Sequence, residues 1–253
     1  LIVDGHTGFA GGLNIGDEYL GKMPDYGSWR DTHCRVQGPI IQAMQLSFVE
    51  DWHWSTQQIL ALNWAPEVAE NCAGEGIDAL VMATGPADAL ETCSLFFVQM
   101  INQAKSRLWL VAPYFVPDQK VLAAIQLAAL RGVDVRIILP GESDALWVLY
   151  SSLSFLPDLF QVGVKVYQYQ PGIMHQKVML IDNELSSLGT ANLDNRSLRI
   201  NFELTLVFHD KNVCRQIKHM LLEDLQHCVE LTQQSLNERV FATRFLSRLS
   251  RLF

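Results

Sequence analysis

His175-Gln176-Lys177-Val178-Met179-Leu180-Ile181-Asp182 is the stretch on which the fold turns. Read as extended chain, its alternate side chains share a face. His175 and Lys177 then point into one pocket and Gln176 points away. The apolar run Val178 to Ile181 anchors the strand in the core, Asp182 ends it, and Gly189-Thr190 begins a tight turn. Asn192 and Ser197 are expected to return toward the same pocket.

Outward from this stretch, a second copy emerges. Leu1-Ile-Val-Asp4 and the following residues to Asn14 match Met179-Leu-Ile-Asp182 and the following residues to Asn192 without a gap. Asp4 falls on Asp182, Gly11-Gly12 on Gly189-Thr190, and Asn14 on Asn192. A strand with an acid is expected after each copy: Trp29 to Val36 carrying Asp31, and Asn201 to Phe208 carrying Glu203. The positions matching His175 and Lys177 in the first copy fall upstream of residue 1. His6 cannot stand in, because it lies on the wrong side of Asp4. A His-x-Lys pair ending five residues before Asp4 is therefore expected in an upstream segment that this sequence lacks.

Elsewhere, helices and strands alternate. Strands are expected at 107–112, 133–139, 164–169 and 177–182. A helix is expected from Asp118 to Arg131, capped by Asp118 and closed by Gly132. Another is expected from Lys211 to Leu231, with Val213, Ile217, Met220, Leu221 and Leu225 on one face. This βαβ rhythm predicts an α/β fold of layered sheets and helices. Residues 61–90, rich in Ala, Gly and Pro, are read as the passage between lobes.

The chain has 253 residues, 49% of them hydrophobic and 18% charged, which suffices for a large domain or two lobes and argues against disorder. A formal net charge of −8 gives no overall basic footprint for duplex nucleic acid. The five cysteines, at 34, 72, 93, 214 and 228, show no clip spacing and read as buried reduced thiols. No uninterrupted apolar run reaches the ~18–20 residues that cross a bilayer.

The chemistry expected of the pocket is phosphoryl transfer. An imidazole titrating near pH 6.5 can act as a nucleophile or proton carrier. The Lys177 ammonium can hold a phosphate oxygen, and Asn192 can donate to a second. Glu203 is expected to orient the imidazole, as a carboxylate does in a triad. No metal ligands and no cofactor are called for.

These strings resemble the phospholipase D superfamily and, more narrowly, bacterial cardiolipin synthases. The resemblance rests on Gly11-Gly-Leu-Asn-Ile-Gly-Asp-Glu-Tyr19, Trp29-Arg-Asp-Thr32, Ala112-Pro-Tyr-Phe-Val-Pro117, Gly189-Thr-Ala-Asn-Leu-Asp-Asn-Arg-Ser197 and Asn201-Phe-Glu203. It implies a two-lobed α-β-α-β-α layered fold, here with an incomplete first lobe over 1–84 and a second over 85–235. A basic amphipathic tail, 236–253, follows. The resemblance maps the family motif onto His175, Lys177, Asp182, Asn192 and Glu203, and onto Asp4, Asn14 and Asp31 in the first copy. It implies one histidine forming a phosphohistidine and another protonating the leaving group. The upstream histidine is taken as the nucleophile and His175 as the general acid/base. Two phosphatidylglycerol molecules would give cardiolipin and glycerol at a bacterial inner membrane, anchored through N-terminal helices outside this sequence. The rival readings are a phospholipase D hydrolase, a nuclease, and an inactive fragment that binds phosphate or membrane.

Three smaller expectations complete the reading. The Tyr114-Phe-Val-Pro117 loop follows a strand and is placed to border the site. Residues 146–150 and 153–159 are read chiefly as core helix. Trp52, Trp54 and Trp64 are read as ordinary packing.

Overall fold

The computed structural model describes residues 1–22, 27–65, 76–142 and 146–238. The expected basic tail from Arg239 onward and Cys72 lie outside the described residues. In chain order the elements are β1 (Ile2–Val3), β2 (Thr7–Gly11), β3 (Trp29–Arg30), β4 (His33–Gln37), α1 (Ile40–Thr56), β5 (Asp78–Thr84), α2 (Thr92–Gln103), β6 (Arg107–Val111) and β7 (Phe115–Val116). They continue with α3 (Gln119–Leu130), β8 (Asp134–Pro140), α4 (Leu146–Phe160), β9 (Lys165–Tyr169), β10 (Ile173–Met174), β11 (Val178–Ile181), β12 (Leu185–Gly189) and β13 (Leu193–Asp194). The last are α5 (Asn195–Arg199), β14 (Glu203–His209), α6 (Lys211–Gln226), β15 (Cys228–Leu231) and α7 (Gln233–Asn237).

An eight-stranded sheet runs in the order β15-β9-β8-β6-β11-β12-β14-β5. Its β6, β8 and β9 are parallel, joined through α3 and α4, and the other pairings are antiparallel. Alternation along each strand feeds two cores, one on each face. From β6, Leu108 and Leu110 join α2, α3 and α4 in one core, while Trp109 and Val111 join α1 and α6 in the other. From β11, Met179 and Ile181 take the first side, and Val178 and Leu180 the second. That is why the 178–181 run carries no polar residue.

The repeat is visible in the backbone. A smaller sheet, β1-β2-β4, reproduces the order and antiparallel sense of β11-β12-β14. Asp4 and Asp182, at the turns, both adopt left-handed φ, 53° and 52°. Gly11 and Gly189 each close a strand against a following backbone. A Cβ on either would lie 2.3 Å from a carbonyl oxygen, Thr32 O or Leu204 O, so both positions exclude larger residues.

Several expectations change. The helix begun at Lys211 ends at Gln226, and Cys228–Leu231 turns back as an edge strand on β9. The pairing with β9 turns Leu231 into the core that α2, α3 and α4 share. The passage between lobes contains β5, which pairs along all of β14, so the larger sheet takes in residues before 85. The predicted strand 29–36 breaks at Asp31 and Thr32 between β3 and β4. The predicted strand at His175 likewise falls between β10 and β11, outside either strand. Only Cys93 and Cys214 of the described thiols are fully buried. The three tryptophans are not ordinary core: Trp54 is 80% exposed, and Trp52 and Trp64 also face outward. In α4, Leu153, Phe155, Leu156 and Leu159 are core, as expected. Among the described residues no helix is long and apolar enough to cross a membrane.

Candidate active site

The site forms where the two sheets' connecting segments meet. β10 pairs in parallel with β3, matching Ile173 with Trp29 and Met174 with Arg30. The pairing continues for one more bond, His175 N–H donating to the Arg30 carbonyl at 2.8 Å. The next residue of each segment then projects to the same side. His175 Nδ1 lies 2.8 Å from Asp31 Oδ2, and the Asp31 side chain is wholly buried. An ionised carboxylate only accepts, so the pair places the ring proton on Nδ1 and leaves the lone pair at Nε2.

Lys177 shares the face with His175, as alternation predicted. Its Nζ lies 2.8 Å from Nε2 and 3.0 Å from Nδ1, and donates to the His175 carbonyl at 2.8 Å. Gln176 points the other way and is completely buried. Aromatic rings wall the imidazole: Trp29 at 5.0 Å between centroids, Tyr19 at 6.2 Å and Tyr114 at 6.3 Å. The expectation that the Tyr114 loop borders the site therefore holds. An imidazole, a cation and an aromatic wall suit the site to gripping an anionic ester and moving a proton at it.

Other predicted residues fall elsewhere. Glu203 does not orient His175; Asp31 does, because β10 pairs with β3, the short strand that leads into β4 of the smaller sheet. Glu203 instead accepts from Ser197 Oγ at 2.7 Å, Asn201 Nδ2 at 3.1 Å and Thr190 Oγ1. Ser197 thus returns to Glu203 rather than to the imidazole. The two acids are related by the repeat even in their donors: Trp29 Nε1 reaches Asp31 and Asn201 Nδ2 reaches Glu203, each from two residues before. A cavity of about 250 Å³ opens beside Ser197 and Asn201, between α5 and the Gly85–Glu91 loop.

Asp182 lies at the far end of β11 from His175. Its carboxylate accepts the N–H groups of Lys105, Ser106 and Arg107 at 3.0, 2.8 and 2.8 Å, and the Ser106 hydroxyl at 2.8 Å. Burial alone would raise this carboxyl, but those hydrogen bonds outweigh it and hold it below the usual range. Its geometry is that of a clamp on the start of β6, not of a group touching substrate. Asp4, at the matching turn, is exposed. Asn14 is exposed too, its Oδ1 accepting from the adjacent Ile15 N–H at 2.9 Å, so it is not gathered into the site. Asn192 is placed inward. Its Oδ1 is buried with no partner among the described residues, an unmet bond that costs about 1–3 kcal/mol until something fills it.

Sequence reasoning missed the residues behind the pair. Arg30 grips Asp224 of α6 in two bonds, Nε to Oδ1 at 2.7 Å and Nη2 to Oδ2 at 3.0 Å. The signal was present, since Asp224 is an acid on the face of α6 that also carries Ile217 and Leu221. Among the described residues no group of three or more His, Cys, Asp or Glu could hold a metal ion.

Two sheets related by a repeat, with a cross-paired histidine between them, define the phospholipase D fold. The solved phosphatidylserine synthase of Haemophilus influenzae Rd KW20 superposes with a TM-score of 0.71 at 15% identity, over 98% of this chain and 66% of that one. Nuc of Salmonella typhimurium, a phospholipase D family member, superposes at 0.53 and 17% identity, over 62% of this chain and all of that one. The family model described as cardiolipin synthase, phospholipase D-like domain, matches residues 97–225. The chain belongs to that family. It is 44% identical over 252 residues to cardiolipin synthase A of Pseudomonas putida strain F1 and, to the same degree, to that of Pseudomonas fluorescens strain SBW25. The match covers all of this chain and 52% of each relative, so the chain spans about half their length.

Proposed function

We propose that the chain carries one half of the active site of a phosphatidyltransferase that makes cardiolipin from two phosphatidylglycerol molecules. The carrying observation is the Asp31–His175–Lys177 constellation in a chain that matches cardiolipin synthases along its whole length. In this reading a histidine upstream of Asp4 attacks the phosphorus of the first lipid. A P–N bond forms, the P–O bond to the glycerol headgroup breaks, and His175, entering this step as the imidazolium, gives that oxygen its Nε2 proton while Nδ1–H stays hydrogen-bonded to Asp31. His175, now with a free Nε2 lone pair, takes the proton of the second lipid's glycerol hydroxyl as that oxygen displaces the histidine. Asp31 holds the ring throughout, and Lys177 neutralises charge on the non-bridging oxygens. Glu203, the repeat counterpart of Asp31, would serve the upstream histidine in the same way.

The substrate class is a phospholipid at a membrane surface. Exposed Ile200 and Phe202 flank the inward-facing Asn201, and Leu90 is exposed on the rim of the adjoining cavity. Such an apolar lip beside a polar site suits a lipid presented from a bilayer.

The test is product analysis with the full-length protein and vesicles of phosphatidylglycerol. Cardiolipin and glycerol in equal amounts, lost on His175→Ala, are expected. Phosphatidic acid in place of cardiolipin would replace the transferase with a hydrolase. Turnover unchanged by His175→Ala would overturn the assignment of the site.

A further inference from the structure

We infer that Asp224, Arg30, Gln176 and Thr32 form a positioning relay that sets the geometry of the His175–Asp31 pair from behind. Three of the residues adjoining the pair in sequence converge on one carboxylate, Arg30 and Gln176 directly and Thr32 through Gln176. Arg30, before Asp31, holds Asp224 through two bonds and also donates Nη1 to the Asp31 carbonyl at 2.8 Å. Gln176, after His175, donates Nε2 to Asp224 Oδ2 at 2.8 Å. Thr32, after Asp31, donates its hydroxyl to Gln176 Oε1 at 2.8 Å. The circuit therefore runs from Asp224 through Arg30 to the Asp31 backbone, then from Thr32 through Gln176 back to Asp224.

Its members are buried where it matters: Gln176 is 0% exposed and Asp224 4%. None of the four shows a bond to His175 or Asp31 side-chain atoms except through the Thr32 main chain, whose N–H donates to Asp31 Oδ1 at 2.7 Å. β3 and β10 are each two residues long, too short to fix their own register firmly. A slip of one segment past the other by one residue would put Asp31 and His175 on opposite faces. The relay is what resists that slip, because Gln176 meets both Thr32 and Asp224 only in the observed register. Asp224, on α6, is thus a positioning residue that acts through its neighbours.

The inference about ring geometry stands apart from the proposed reaction; only its kinetic consequence rests on that reading. The test uses two readouts. The first is the ¹⁵N spectrum of the His175 imidazole in the folded chain, compared among wild type, Asp224→Ala, Thr32→Val and Thr32→Ser. Wild type and Thr32→Ser are expected to hold the proton at Nδ1. Thr32→Val and Asp224→Ala are expected to show a mixture of the two tautomers. The second is turnover by the full-length protein, where kcat should fall about 10- to 100-fold with KM changed less than about 2-fold, as for lost outer-shell partners. Wild-type ring signals in folded Thr32→Val and Asp224→Ala would overturn the relay. Thr32→Val, which removes only a hydroxyl, decides the matter if Asp224→Ala does not fold. Intact relay behaviour without cardiolipin synthesis would overturn the proposed reaction and leave the relay standing.

Discussion

Replacing Asp182 by Asn should lower stability without disturbing His175. The wild-type carboxylate meets four donors, three from the backbone of Lys105 to Arg107 and one from Ser106. An amide keeps one accepting oxygen and turns a donor NH₂ toward donors. A hydrogen bond to a charged group is worth about 1.5–3 kcal/mol, and several are weakened together. The turn is partly open to solvent, so a loss of about 2–4 kcal/mol is expected near pH 7. The pH dependence fixes the sign. The folded carboxyl titrates below its unfolded value, so its stabilisation is present above the unfolded pKa of about 3.9 and fades as pH falls through the folded value. Urea unfolding at several pH values should thus show the gap between wild type and Asp182→Asn at full size above about pH 5, and shrinking below about pH 4. A gap under about 0.5 kcal/mol at pH 7, or one that ignores pH, would refute the clamp. A fully folded variant whose turnover had collapsed would instead restore Asp182 to the chemistry.

Three further outcomes follow from the geometry. Asp31→Asn removes the charge and leaves one accepting oxygen where the Thr32 N–H and Nδ1–H each need one, and turnover should fall by about 10²- to 10⁴-fold, read with phosphatidylglycerol vesicles. Lys177→Arg should be nearly as damaging as Lys177→Ala in the same assay, because a planar fork cannot replace a compact ammonium packed against both ring nitrogens. The Cys228 thiol is pushed up to about 12 by burial and by the Asp224 carboxylate. Only about one thiol in 10⁴ is ionised at pH 8, so alkylation monitored by mass spectrometry should be slow until urea unfolds the chain.

Much of this architecture was legible in the sequence because periodicity and repetition act locally. The unbroken 178–181 run announced a strand buried on both faces, and the match of residues 1–14 to 179–192 announced a duplicated hairpin. The alternation of His175, Gln176 and Lys177 correctly divided pocket from core. Partner choice across space was less legible. Glu203 was the nearer acid in sequence, yet Asp31 reaches His175, because the β3–β10 pairing joins residues 144 positions apart. Asp182 belongs to the motif yet lies at the far end of β11 from His175. Membership in a short sequence pattern does not reveal that a strand of four residues separates its ends. Cys228–Leu231 reads as a continuing helix until an edge strand is available to receive it.

The reach of Asp31 across to His175 also bears on how such a chain can change over generations. The segment before the smaller sheet's β4 supplies Asp31 and the segment before the larger sheet's β11 supplies His175, so in the proposed site neither can be improved alone. A chimera that takes residues up to the 57–65 stretch from one homologue and the remainder from another receives its carboxylate and its imidazole from different parents. It also receives Arg30 from one and Asp224 from the other. Inheritance at these positions is therefore joint, and an exchange succeeds only between parents that have kept both halves of the bargain.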